Sequence, residues 1–153
     1  MVSALLTNRS TSGNAVVVRG ELTTCLTHFS SKRQGCTSTS TPEAEIISAC
    51  KILREYLVPL QSLWSNMLSR EVECVVKEDN EAAIKIFIAG YSLAMRHLER
   101  THRYNLSQAS EILRLPGFRL EYCNTKEQLG DLLTKVLDKT DLQRGLDLAG
   151  IRP

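Results

Sequence analysis

The chain has 153 residues, of which 42% are hydrophobic and 24% charged, and its formal net charge is +2. This composition is ordinary for a globular domain and excludes disorder throughout, which requires low hydrophobicity and a high net charge. No apolar run reaches the roughly 18 residues of a membrane span. The N-terminus lacks the basic segment and long apolar run of a signal peptide. We therefore expect an intracellular protein, in the cytoplasm or nucleus, with no membrane partner.

The charge distribution and the cysteines indicate which kinds of binding site the chain could contain. Residues 42–84 carry eight acidic and four basic residues, whereas residues 1–41 and 85–114 each carry a net charge of +3. An acidic middle between basic segments suits a cation site beside a phosphate-binding surface, and it also arises by chance. The five cysteines are odd in number and lack C-x-x-C spacing. This pattern favours free thiols over disulfides or a zinc site.

The first part of the chain predicts β-strands. Residues 1–13 form a polar segment that ends in Ser-Gly, which is a turn signal. β-Branched and alternating runs at residues 16–18 and 22–26 predict a hairpin that turns near Gly20. The threonine- and serine-rich residues 36–41 offer a third strand.

A helix–strand–helix pattern follows. Thr41 as the N-cap and Pro42 predict the start of a helix, and Pro59 predicts a kink before a second helical piece. The apolar stripe of the first piece recurs at helical spacing. It consists of Ile46, Cys50, Leu53 and Leu57. Residues 72–76 predict a buried strand, after which Asn80 caps a helix over residues 81–89 that ends at Gly90.

The last part of the chain predicts helices around one strand. A helix over residues 96–113 precedes a strand over residues 118–122. A capping box at residues 125–128 predicts another helix, and a short helix covers residues 141–148. The apolar face of the capping-box helix consists of Leu129, Leu132, Leu133 and Val136. This order predicts one α/β domain over residues 14–150, with a mixed sheet flanked by helices.

Three carboxylates lie where catalytic acids are commonly found. Asp79 follows the buried strand, Glu45 lies in the first turn of the long helix, and Asp131 lies in the helix after the capping box. If they converge, their mutual repulsion requires cations, and Mg²⁺ prefers such oxygen ligands. Each has an ordinary alternative. Glu45 and Asp79 suit the positive end of a helix dipole, and Asp131 suits a solvated helix face.

Six short motifs occur in a fixed order along residues 8–150. They are Asn8-Arg-Ser-Thr-Ser-Gly13, Ser31-Lys-Arg-Gln34, Ser40-Thr-Pro-Glu-Ala-Glu-Ile46, Glu78-Asp-Asn-Glu-Ala-Ala-Ile84, Met95-Arg-His-Leu98 and Gln128-Leu-Gly-Asp-Leu-Leu-Thr-Lys135. Each motif is weak alone, but six in register are specific. Together they resemble the ribonuclease H region at the C-terminus of Copia-type retrotransposon Pol polyproteins.

The resemblance implies a ribonuclease H fold and cleavage of the RNA strand of RNA–DNA hybrids. The family uses four acids and two Mg²⁺ ions, or Mn²⁺ in their place. Matched motif by motif, three of the four catalytic, metal-binding acids are Glu45, Asp79 and Asp131. The implied partners are an RNA–DNA hybrid and the reverse transcriptase portion of the same polyprotein.

One departure from the family concerns the first acid. In the family this acid lies on the first, central strand, before the motif that contains Arg9. Here eight residues precede Arg9 and none of them is acidic. We therefore expect the first strand to be missing, the sheet to be incomplete and catalysis to be impaired. Residues 2–6 offer a makeshift strand.

Basic residues predict a nucleic-acid surface. Arg96, Arg100 and Arg103 recur at i, i+4 and i+7 on the predicted helix, and Lys85 lies on the helix before it. The functional interpretation is phosphate contact along a hybrid. The alternative is a solvated helix face.

Three functions stay open from the sequence. The first is a metal-dependent ribonuclease, and the second is an inactive element remnant that keeps the fold and at most binds nucleic acid. The third is a transposase or integrase core of the same broad fold. The Thr-Pro-Glu-Ala-Glu and Gln-Leu-Gly-Asp motifs speak against the third.

Overall fold

The computed structural model describes residues 10–35 and 40–151, and the backbone alone for residues 101 and 102. It contains both helices and strands, which confirms the α/β class. The chain divides into two compact units, residues 1–37 with 123–153 and residues 38–122. The prediction of a single domain over residues 14–150 stays a prediction. Residues 2–6 and 36–39, for which strands were proposed, lie outside the described residues.

The first unit begins with a β-hairpin. Strands β1 (Thr11–Arg19) and β2 (Thr24–Arg33) pair antiparallel, with an irregularity between Val16 and Val17. The N–H of Gly20 donates to the carbonyl of Thr23 at 2.9 Å, which closes the predicted turn. Both strands are longer than predicted. Their polar ends also pair, and Gln34 Nε2 beyond β2 donates to the buried Ser12 Oγ at 2.9 Å.

The second unit begins with a long helical segment. It comprises α1 (Thr41–Ile52), a π-helical segment over Leu53–Leu57, and α2 (Val58–Leu68). The N-cap is Ser40 and not the predicted Thr41, because the Ser40 hydroxyl accepts the N–H of Glu43 at 3.3 Å. Pro59 lies in the first turn of α2, so the predicted second helical piece is present. The π turn before it, in which the N–H of Val58 bonds the carbonyl of Leu53, accommodates the proline.

A parallel strand pair follows in the same unit. Strand β3 (Cys74–Glu78) pairs in parallel with β4 (Phe118–Tyr122), and α3 (Glu81–Ala89) directly follows β3. These elements closely match their predictions. Among the described residues the four strands form two separate two-stranded sheets, which differs from the predicted single mixed sheet.

The helix predicted over residues 96–113 is wrong as a continuous element. The structure has a 3₁₀ turn (Leu93–Met95), α4 (Leu98–His102) and α5 (Leu106–Leu113). Arg103 adopts a left-handed conformation with φ of 58°, which ends α4. Asn105 then starts α5 by accepting the N–H of Gln108 at 3.1 Å. Strong N-cap chemistry thus divides a sequence whose apolar spacing alone suggested one helix.

The core of the second unit lies between α1, α3, α5 and the parallel strands. Its buried members include Ile46, Leu53, Val76, Phe87 and Leu98. The predicted stripe of the long helix faces this core, since Ile46, Cys50 and Leu53 are buried and Leu57 packs against them. No helix in the described part of the chain is long and apolar enough to cross a membrane.

The first unit resumes after β4 and ends in short helices. A 3₁₀ turn (Thr125–Glu127) leads to α6 (Asp131–Thr134) and α7 (Lys139–Leu148). The single helix predicted from the capping box is therefore wrong. Gln128 has extended backbone angles that interrupt it, and Val136 is 104% exposed. Gly13 is required where β1 meets this region, because an added Cβ would lie 2.5 Å from the carbonyl oxygen of Gly130.

Candidate metal centre

Two acidic residues, Glu78 and Asp79, lie next to each other at the carboxyl end of β3. Cys74, Val76 and Glu78 share the inward face of the strand, so the Glu78 side chain is 6% exposed. Asp79 follows as a half-buried residue between the strand and α3. The next residue, Asn80, caps α3 by accepting the N–H groups of Ala82 and Ala83. The predicted cap is thus confirmed, and it fixes the chain direction immediately after both acids.

The first turn of α1 brings a third acid to the same place. Carboxylate oxygens of Glu45, Glu78 and Asp79 all lie within 4.8 Å of one another. Glu45 and Asp79 are 34 positions apart in the sequence, so it is the folding of the chain that brings their side chains together. We call these three side chains the acidic cluster.

The acidic cluster changes the protonation of its most buried member. Burial and, to a smaller extent, the neighbouring Glu45 carboxylate together raise the pKa of Glu78 from its ordinary value of 4.5 to about 7. The backbone N–H of Asn80, 3.2 Å from Glu78 Oε1, opposes this effect. Without a cation, the cluster therefore holds a proton that a cation would displace.

The donor set fits a hard divalent cation. All three side chains offer carboxylate oxygens, which Mg²⁺ and Mn²⁺ prefer, and no sulfur or imidazole ligand belongs to the cluster. Glu45 and Asp79 are half-buried in this cluster, whereas Glu78 is buried. Positive charge placed there relieves the repulsion between the three acids.

Sequence reasoning selected Glu45 and Asp79 but missed Glu78. A signal was present, because the period-2 alternation of β3 places residue 78 on the same buried face as Val76. The sequence argument weighed the acid after the strand and overlooked the last residue within it.

Asp131 belongs to the other unit. It is the first residue of α6 and pairs with Lys135 at 2.8 Å across one helical turn. The pair matches the i, i+4 relation expected of a solvated helix. Its place among the metal ligands stays a prediction.

The predicted basic stripe is not a helix face. Arg96 precedes α4, Arg100 lies within it, and Arg103 forms its left-handed end, so the i, i+4, i+7 argument for one face is wrong. All three side chains are exposed. Lys85 is exposed on α3, 3.7 Å from Glu81. Nucleic-acid contact by these residues stays a prediction.

Comparison with known proteins adds no relative. No protein-family model, no curated protein and no solved structure matches this chain.

Proposed function

We propose that this chain is a ribonuclease H-type region of a Copia-type retrotransposon Pol polyprotein that binds Mg²⁺ or Mn²⁺ at the acidic cluster. The observation that carries the proposal is the approach of the Glu45, Glu78 and Asp79 oxygens to within 4.8 Å. Two of these acids are those that the motif resemblance assigned. The substrate class implied by that resemblance is the RNA–DNA hybrid.

Each acid has a distinct part in holding the cation. Half-buried Glu45 and Asp79 would hold the cation together with buried Glu78, which would first lose its proton. A bound divalent ion supplies an activated water and stabilises the leaving oxygen in phosphodiester cleavage. The N-terminus of α3, whose N–H groups point toward this end of the strand, adds favourable potential for the anionic ligands.

A second candidate function is an inactive remnant that binds cations and nucleic acid without cutting. The observation that favours it is that the acidic cluster contains three carboxylates among the described residues, whereas the family uses four acids. A two-metal site that lacks one carboxylate ligand holds its ions weakly. For the 153-residue chain we therefore expect metal binding and negligible cleavage.

Calorimetric titration with Mn²⁺ tests the metal site. We expect saturable binding by the chain, weakened more than tenfold in Asp79→Asn, because even outer-shell partners are worth about 10–100-fold. The matched control is Glu111→Gln, which removes an exposed carboxylate on α5 of the same unit. Absence of saturable binding, or equal loss in the control, contradicts the site.

A cleavage assay on a labelled RNA–DNA hybrid separates the two candidate functions. Cleavage with Mg²⁺ or Mn²⁺ that disappears in Asp79→Asn establishes the nuclease. Binding of the hybrid without cleavage establishes the remnant.

A further inference from the structure

A hydrogen-bonded contact between Glu43 and His97 lies on another face of α1 from Glu45. Glu43 is 1% exposed, and its Oε1 lies 2.9 Å from Nε2 of His97. A buried carboxylate is costly unless it is paired and hydrogen-bonded. A carboxylate only accepts hydrogen bonds, so the His97 ring nitrogen is the donor. The contact joins the first turn of α1 to the segment before α4.

The two glutamates of the first turn point in different directions. Glu43 and Glu45 are two residues apart, which corresponds to about 200° around a helix. Glu43 lies on the stripe of Ile46, Ile47 and Cys50 that faces the core, whereas Glu45 reaches the end of β3. A contact that fixes Glu43 therefore fixes the rotation of the first turn and the direction of Glu45.

His97 is itself held in place. Met95 and Leu98, on either side of it, are both buried in the core, with exposures of 7% and 2%. The carbonyl of His97 also accepts the N–H of Arg100 at 3.0 Å. The histidine is thus presented from an anchored segment, while its side chain stays 39% exposed.

We propose that Glu43 and His97 form a positioning pair that holds Glu45 in the acidic cluster. The inference rests on the proposed metal-binding function. Helix ends fray, and the like charges of the acidic cluster disfavour the close approach of Glu45. From another face of the helix, the pair opposes this effect. His97 is a positioning residue and makes no contact with the metal.

The test compares Mn²⁺ affinity and thermal stability across matched variants of the full chain. We expect His97→Ala to weaken Mn²⁺ binding about tenfold, the lower end for an outer-shell partner. His97→Gln keeps a donor at the Nε2 position and should recover most of the affinity. Ile112→Ala removes core packing on α5 and leaves the His97 segment unaltered, so it should lower Tm while retaining affinity.

A double variant distinguishes loss of the positioning pair from loss of the folded structure. Glu43→Met with His97→Leu replaces the pair by apolar side chains and removes the uncompensated buried charge. We expect it to fold, with Mn²⁺ affinity as weak as that of His97→Ala. Its electron paramagnetic resonance spectrum with Mn²⁺ should differ from that of the unaltered chain, because Glu45 no longer contributes in the same way.

The possible outcomes distinguish failure of the positioning pair from failure of the proposed metal-binding function. If the unaltered chain binds no Mn²⁺, the metal site and the positioning pair both fail. If it binds Mn²⁺ and His97→Ala or the double variant binds equally well, the positioning pair alone is overturned. A loss in Ile112→Ala as large as that in His97→Ala also overturns it, since the effect would then be general loosening of the core.

Discussion

Glu78 carries a carboxyl group that is 6% exposed and faces the Glu45 carboxylate. Burial is the larger cause of its raised pKa, and Glu45 adds to it. Because the folded pKa of about 7 exceeds the ordinary 4.5, the folded state binds a proton that the unfolded state releases between these pH values. Stability from this group is therefore greatest below pH 4.5 and is lost as pH rises through 7. A bound cation reverses the balance, since it favours the ionised carboxyl.

The first prediction follows from this decrease in stability with rising pH. Glu78→Gln should be more stable than the unaltered chain above pH 7 by about 2 kcal/mol, and the difference should shrink toward pH 4.5. Added Mg²⁺ should stabilise the unaltered chain above pH 7 and leave Glu78→Gln nearly unaffected. Denaturant unfolding at several pH values, with and without Mg²⁺, measures both effects. A constant difference between the two proteins across this pH range would contradict the assignment.

Helices and strands could be predicted where the residues at their ends and the pattern of buried residues indicate the same element. Asn80 and Gly90 bound α3 as their residue types predict, and β3 was predicted from a short apolar run and β4 from alternation. The helices predicted over residues 96–113 and from residue 125 failed because apolar spacing was given more weight than backbone interruptions at Arg103 and Gln128. Neither interruption involves glycine or proline, which are the strongest sequence signals for a break.

The N-caps give the second prediction. Asn80→Ala and Asn105→Ala each remove a side chain that accepts backbone N–H groups, at the starts of α3 and α5 respectively. Each should lower the free energy of unfolding by about 1 kcal/mol. Asn80→Ala alone should also weaken Mn²⁺ binding, since it loosens the chain immediately after Asp79. Equal Mn²⁺ affinities in the two variants would show that the cap has no influence on the metal site.

At the scale of the molecule, some residues of the candidate site could be predicted from the sequence, whereas others could be identified only from the folded structure. Glu45 and Asp79 were selected because each occupies a defined position on one element, and the structure brings both together. Glu78 required knowledge of which strand face is buried. Asp131 was selected from a helix that the structure replaces by a 3₁₀ turn and the four-residue α6. Two of the three acids in the cluster were therefore predictable from their positions on single elements, and the place of Asp131 among the metal ligands stays a prediction.

The whole chain also gives the last prediction, which concerns its binding to an RNA–DNA hybrid. Exposed Arg96 and Arg100 lie in or beside α4, in the same unit as the acidic cluster. If each contacts a phosphate, replacement by glutamine should weaken binding and reduce the slope of log affinity against log salt by about 1 per residue. Lys126→Gln, an exposed change in the other unit, is the charge-matched control. Fluorescence anisotropy of a labelled hybrid over a salt series measures the slopes. An equal reduction in Lys126→Gln would mean that net charge, and not the surface around α4, attracts the hybrid.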